Sequence, residues 1–414
     1  MTKRRSRSIR VATGWVLVVA GCTSTAAMLA APAAPRVGTT LPIPLQDDDV
    51  VERLPTRLLD GAERARRRLE QRSLRGGDND PRNAASGARR AIDRYRRFGD
   101  PRDLGAAQAW LRPWWSEPEI APPLRLLKAI VLQSRHEFDA AVFELDKLLA
   151  PRNTTVDEQV LQQALLTRAG ILQIVGRWRD ARRDCARLAA PPWSLPHGVA
   201  CLAELDGLSG RETAAQQQFE ALDRSATSLP PGWIALLRAE LAERSGAANA
   251  GALYVRALRL SGDVYSRIAL VDWLLAHGRA ADAARIVREF QGDADPSIES
   301  LPDSLLLRLA IAARNARDPE ADSIASALQK RLEDAQLRGD VSHGRERARY
   351  ALDVRDDPRA ALMIASENWQ RQKEPADALL LVRAARAARR IDALEPVKRF
   401  ARERNYRDTR LNPL

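Results

Sequence analysis

Beyond residue 56 the apolar positions of the chain fall three and four residues apart rather than two, and the pattern reads as a succession of amphipathic helices joined by short turns. Leu165 to Leu188 is the clearest stretch. A first helix carries Ala169, the turn Gly176-Arg177-Trp178-Arg179-Asp180 interrupts it, and a second helix sets Ala181, Cys185 and Leu188 on one face. The same unit returns with Ala129, the turn His136-Glu137-Phe138-Asp139 and then Ala141, Leu145 and Leu148. It returns again with Ala203, Gly210-Arg211, Ala215, Phe219 and Leu222, and with Ala239, Gly246, Gly251, Val255 and Leu258. Leu274, Gly278-Arg279, Ala283, Val287 and Phe290 form a fifth copy. Weaker copies centre on Ala321 and Ala361, and a degenerate one runs from Ala376 to Arg404.

Positions 141, 181, 215, 251, 283, 321 and 361 are equivalent in this alignment. Their spacing scatters around the roughly 34-residue period of tetratricopeptide repeats. The small residue on the first helix, the turn glycine and the Ala–large–large series on the second resemble the tetratricopeptide pattern. Several copies lack its early aromatic and its helix-ending proline. The resemblance implies an all-α fold, a right-handed superhelix of roughly seven to eight irregular helical hairpins with an N-terminal helical cap. The repeats then occupy 119–404, a C-terminal tail 405–414, and the cap 57–118. Within the cap, helices over Arg89–Arg97 and Leu104–Leu111 flank the turn Gly99-Asp100-Pro101-Arg102. The cluster Trp110, Trp114 and Trp115 packs the cap or forms a binding patch.

The resemblance also implies a concave face lined by the first helix of each hairpin, on which a peptide or protein segment is held. Carried onto these copies, it turns Gln173, Glu204, Glu240, Glu243, Asp272, Glu346 and Asp353 toward the groove. Such an acidic stripe favours basic partner segments. Arg168, Arg238 and Arg308 stand in the same register at positions where buried residues are expected, which argues against it.

Composition supports helix: 45% of residues are hydrophobic, only 5% are aromatic, and Ala, Leu and Arg dominate. The net charge of +12 invites a nucleic-acid partner, but five of those charges (Lys3, Arg4, Arg5, Arg7, Arg10) fall in the first ten residues. The remainder interleave with acids at helical spacing, as in Glu63 with Arg67 and Arg285 with Glu289. No nucleic-acid partner is expected. The basic stretch Arg383 to Arg410 reads as a solvated closing helix or as a contact for anionic lipid.

The basic start and the apolar run Val11–Gly21 have the layout of an export signal, placed over 1–34. Val19-Ala20-Gly21-Cys22 is similar to a bacterial lipobox, which would make Cys22 a lipidated N-terminus; cleavage near Ala31 to Ala33 and an uncleaved anchor stay open. Residues 35–56 carry Pro35, Pro42, Pro44 and Pro55 and read as an extended linker. The expected location is the periplasm or the membrane-attached envelope. In an oxidising compartment Cys185 and Cys201 are a candidate disulfide pair, with two buried thiols as the alternative.

Catalytic chemistry leaves no mark. His136, His197, His277 and His343 are scattered, without metal-ligand spacing. No nucleophile elbow, phosphate loop or dinucleotide fingerprint occurs. No catalytic, metal-binding or cofactor-binding residue is expected, and no cofactor. The function expected is a non-enzymatic protein-binding scaffold of the bacterial envelope. The alternatives are a helical subunit or enzyme acting on cell-wall polymer, and a regulatory subunit of a membrane partner.

Overall fold

The structure, a computed structural model, describes residue 68 and residues 80–412 apart from 151–155, 226–228, 292–296 and 338–342. The export signal, Cys22 and the proline-rich linker lie outside these residues. Residues 55–414 form one compact unit, separate from residues 1–54. Among the described residues there are eighteen α-helices and no strand.

The helices pair in sequence. A first pair, α1 (Pro81–Phe98) with α2 (Pro101–Leu111), is followed by eight hairpins. The first four are α3 (Pro122–Ser134) with α4 (Phe138–Leu148), α5 (Glu158–Ile174) with α6 (Trp178–Ala189), α7 (Pro196–Leu208) with α8 (Glu212–Arg224), and α9 (Pro231–Ser245) with α10 (Ala250–Ser261). The next are α11 (Val264–Ala276) with α12 (Ala280–Gln291) and α13 (Asp303–Ala316) with α14 (Ala321–Leu337). In the last two, α15 (Gly344–Arg349), prolonged by a π turn to Val354, pairs with α16 (Pro358–Arg371), and α17 (Pro375–Ala387) pairs with α18 (Glu395–Arg404).

Local sequence sets these boundaries. Asp80, Asp100, Asp157, Asp263 and Asp357 each accept a hydrogen bond from a backbone N–H of the helix they begin. Eight helices carry proline in their first turn, where its missing N–H costs nothing. The turn inside every hairpin contains one left-handed residue: His136, Gly176, Gly210, Gly246, Gly278, Arg317, Asp356 and Arg389 in chain order. The repeat is therefore regular in its backbone even where its sequence is not. Glycine takes that conformation without strain; the other four sites bear a modest cost that packing offsets.

Small residues let the hairpins close. Ala129, Ala169, Ala203 and Ala239 on first helices, and Ala141, Ala181, Ala215, Ala283 and Ala361 on second helices, are fully buried. Gly198 permits a close backbone approach, because a methyl group there would lie 2.4 Å from the backbone nitrogen of Ala189. Cys185 on α6 and Cys201 on α7 meet across the same seam in a disulfide, with Cα atoms 5.6 Å apart. The arginines that sat awkwardly in the sequence are paired. Arg168 reaches Asp184 at 2.7 Å and Asp146 at 2.6 Å, Arg238 reaches Asp223, and Arg308 reaches Asp272 at 2.6 Å.

Two features close the array on itself. The first pair packs against α11, and a methyl group at Gly99 would touch Pro302 at 3.4 Å. The chain end laces the hairpins together. Lys373 N donates to Ile174 O at 2.7 Å, and Arg404 Nε to Gly176 O at 3.1 Å. Asn405 Nδ2 donates to Ser209 O at 2.8 Å, Arg407 N to Leu208 O at 3.2 Å, and Thr409 Oγ1 to Arg244 O at 2.9 Å. All five acceptors lie at the C-terminal ends of α5, α7 and α9, where helix carbonyls lack an internal partner. Residues 405–411, which the sequence suggests as a tail, thus form a strap, anchored by the buried rings of Tyr406 and Phe400 against Trp178. Arginines 404, 407 and 410 sit beside negative helix ends rather than on a free basic face.

Candidate partner-binding cavity

The first helix of each hairpin turns one face inward, and together these faces enclose a cavity of about 2780 Å³. All seven residues assigned to the groove from the sequence, Gln173, Glu204, Glu240, Glu243, Asp272, Glu346 and Asp353, lie on its wall. They divide into two sets.

On α11, α13 and α15 the acids are engaged by the protein's own arginines. Asp272 receives Arg308 and Arg349, each at 2.6 Å. Burial opposes the Asp272 charge, yet the two guanidiniums hold its carboxyl well below the usual carboxylate range. Asp353 accepts from Arg349 and Arg383. Glu346 has its pKa lowered, burial being outweighed by the nearby charges of Arg345, His343 and Arg308. Arg345 itself pairs with Glu374 and with the buried Asp377, the latter at 2.7 Å. On α9, Glu243 accepts from Arg410 of the strap and from the Tyr254 hydroxyl, both at 2.8 Å.

Glu204 on α7 and Glu240 on α9 differ. Among the described residues neither forms an ion pair, and burial pushes each up to about 7. Arg244 opposes that shift in both, Glu374 reinforces it, and Gln173 supplies Glu204 with a hydrogen bond. Arg244 is only 7% exposed and lines the cavity, and its Nε has no hydrogen-bond partner. Trp233, Leu236, Leu260 and Tyr265 form the adjoining apolar wall. Tyr265 stands exposed to the cavity, and the Glu240 charge pushes its phenol well above its ordinary value.

The groove assignment from the sequence missed Arg244, Arg345, Arg349, Tyr265, Glu374 and Arg410. Arg349 and Arg410 come from distant parts of the chain, and no local spacing links them to Asp272 or Glu243. The four histidines all stand at helix ends. Among the described residues no cluster of His, Cys, Asp and Glu could hold a metal ion, and no helix is long and apolar enough to cross a membrane. Trp110 is buried against Gly87 in the first pair, with Trp114 and Trp115 packed on the same cluster.

Among the described residues, eight hairpins with a left-handed residue in every turn and a concave face built from first helices make an all-α helical-repeat architecture. Comparison with known proteins returns no matching family model and no matching curated sequence. Similar solved structures include a tetratricopeptide repeat protein from Parabacteroides merdae, 12% identical, covering 73% of this chain and 99% of that one with a TM-score of 0.34. A human IFIT1 dimer with PPP-AAAA is 15% identical, covering 83% and 88% with a TM-score of 0.39. The P58(IPK) TPR domain is 17% identical, covering 79% and 98% with a TM-score of 0.20.

Proposed function

We propose that the protein is a non-enzymatic scaffold or adaptor of the bacterial cell envelope that holds a segment of a partner protein inside its cavity. The observation that carries this reading is the cavity itself, about 2780 Å³ in volume and walled by successive first helices. Its uncompensated carboxylates on α7 and α9 favour basic segments and repel phosphodiesters, which places protein partners ahead of nucleic acid. The basic and apolar start of the chain supports export. The Cys185–Cys201 disulfide supports an oxidising compartment. Attachment to the membrane, by Cys22 or by an uncleaved anchor, belongs to the same proposal.

A second reading, an enzyme or enzyme subunit acting on cell-wall polymer, draws on one observation. Glu204 and Glu240 are enclosed carboxyls titrating near neutrality, a state also used by general acids. Crosslinking the tagged protein in intact cells separates the two. The scaffold predicts a small reproducible set of envelope proteins, lost in Glu240→Lys. Capture of bulk glycan alone, with glycan cleavage by the purified protein, would overturn it in favour of the enzyme.

A further inference from the structure

The charges around Glu204 and Glu240 do not balance. Glu243 and Glu374 are each paired with an arginine of the chain, Arg410 and Arg345 respectively. When both are ionised, Glu204 and Glu240 share the single guanidinium of Arg244. Arg244 is itself incompletely satisfied: the residue lines the cavity and is 7% exposed, and its buried Nε has no acceptor. A buried, unpartnered donor costs free energy until something accepts from it. The deficit is thus twofold: one cation and one hydrogen-bond acceptor.

We propose that Glu204, Glu240 and Arg244 form a subsite for one lysine or arginine residue of a partner segment running through the cavity. The side-chain cation of that residue lies between the two carboxylates, and a backbone carbonyl of the segment accepts from Arg244. Trp233 and Tyr265, on the adjoining wall, cover the aliphatic stem of the side chain, which carries its charge on several methylenes. The fold already holds one such cation on α9, where Arg410 of the strap sits on Glu243. A zwitterionic or neutral residue meets only half of the requirement. The inference rests on the scaffold reading and sharpens it to a single residue type at a single place.

The test uses the purified protein and two short Gly/Ser peptides that differ in one central residue, lysine in one and norleucine in the other. The expected result by calorimetry is binding of the lysine peptide at least about tenfold tighter than its neutral twin. The double variant Glu204→Gln/Glu240→Gln, which keeps side-chain size, erases that difference. Because Gln removes charge without removing volume, a cooperative unfolding transition at or above the wild-type midpoint certifies the variant. A control double variant, Glu212→Gln/Glu220→Gln on α8, keeps the preference. Equal binding of the two peptides, no binding of either, or a lysine preference that survives in the Glu204/Glu240 variant would each overturn the subsite. The scaffold reading fails separately, if crosslinking in cells captures no envelope protein.

Discussion

The two walls of the cavity carry acids of similar origin and put them to different use. On the α11–α13–α15 wall, Asp272 and Asp353 join Arg308, Arg349 and Arg383 into a closed network that ties four successive hairpins together. On the α7–α9 wall, Glu204 and Glu240 face the same space with only Arg244 nearby. A carboxylate on the inner face of a first helix is therefore not in itself a binding residue. What separates the sets is whether a distant arginine reaches the acid. One wall holds the array in shape, and the other is left with charge to offer.

Removing a member of the closed wall has the largest expected effect. Asp272→Ala removes the carboxylate that Arg308 and Arg349 share and should destabilise the protein by about 3 kcal/mol, read as a lower urea midpoint. Glu240→Ala, made in parallel, should leave that midpoint unchanged or raise it. A charge reversal at Asp272 consequently reports on folding, whereas one at Glu240 reports on binding.

Next comes the strap. Tyr406 packs edge-on against Trp178 and Phe400, and its hydroxyl donates to Asp408 at 3.0 Å. Tyr406→Ala should cost about 3 kcal/mol by analogy with other large-to-small core changes and speed proteolysis near the C-terminus. Equal proteolysis of variant and wild type would detach the strap from the stability of the array.

The pH dependence sharpens the contrast, because the two walls pull in opposite directions. Glu204 and Glu240 rise to about 7 on folding, so the folded state favours their protonated form. Their contribution is a penalty, absent below the ordinary glutamate value, that grows as pH rises toward 7 and stays constant above it. Around Glu204 and Glu240 the interacting groups are Arg244, Glu243, Glu374 and Gln173. Asp272 is depressed on folding, so its stabilisation is present above the ordinary aspartate value and is lost as pH falls through the folded one. Unfolding curves of Glu204→Gln/Glu240→Gln should match wild type near pH 4.5 and exceed it at pH 8, where both carboxyls of the wild type are ionised. A constant offset at all pH values would contradict the assignment.

The smallest effect concerns the turns. Arg317 holds a left-handed conformation, with φ of 54°, that glycine adopts without strain. Arg317→Gly should stabilise by up to about 1 kcal/mol, whereas the same change has no counterpart at Gly246, which already has the favoured residue.

These turns also explain how far the sequence could be read. Gly176, Gly210, Gly246 and Gly278 mark four hairpins plainly, and with Ala181, Ala215 and Ala283 they make the period visible. His136, Arg317, Asp356 and Arg389 occupy the equivalent site with ordinary residues, so their copies fade although the backbone does not. The groove register was legible because first-helix position alone decides which residues face inward. Which of those acids is neutralised was not, since Arg349 meets Asp272 across 77 positions of sequence. The strap was hidden for the same reason: its partners Gly176 and Ser209 lie some two hundred residues before it.

The central claim is that the cavity, rather than the outer surface, receives the partner. A photo-crosslinking residue placed at Tyr265 on the cavity wall, and in a separate variant at the outward-facing Met363, tests it in intact cells. The account predicts that Tyr265 alone captures a discrete set of envelope proteins, through peptides carrying lysine or arginine beside the crosslink. Capture from Met363 and not from Tyr265, or no capture from either, would contradict it.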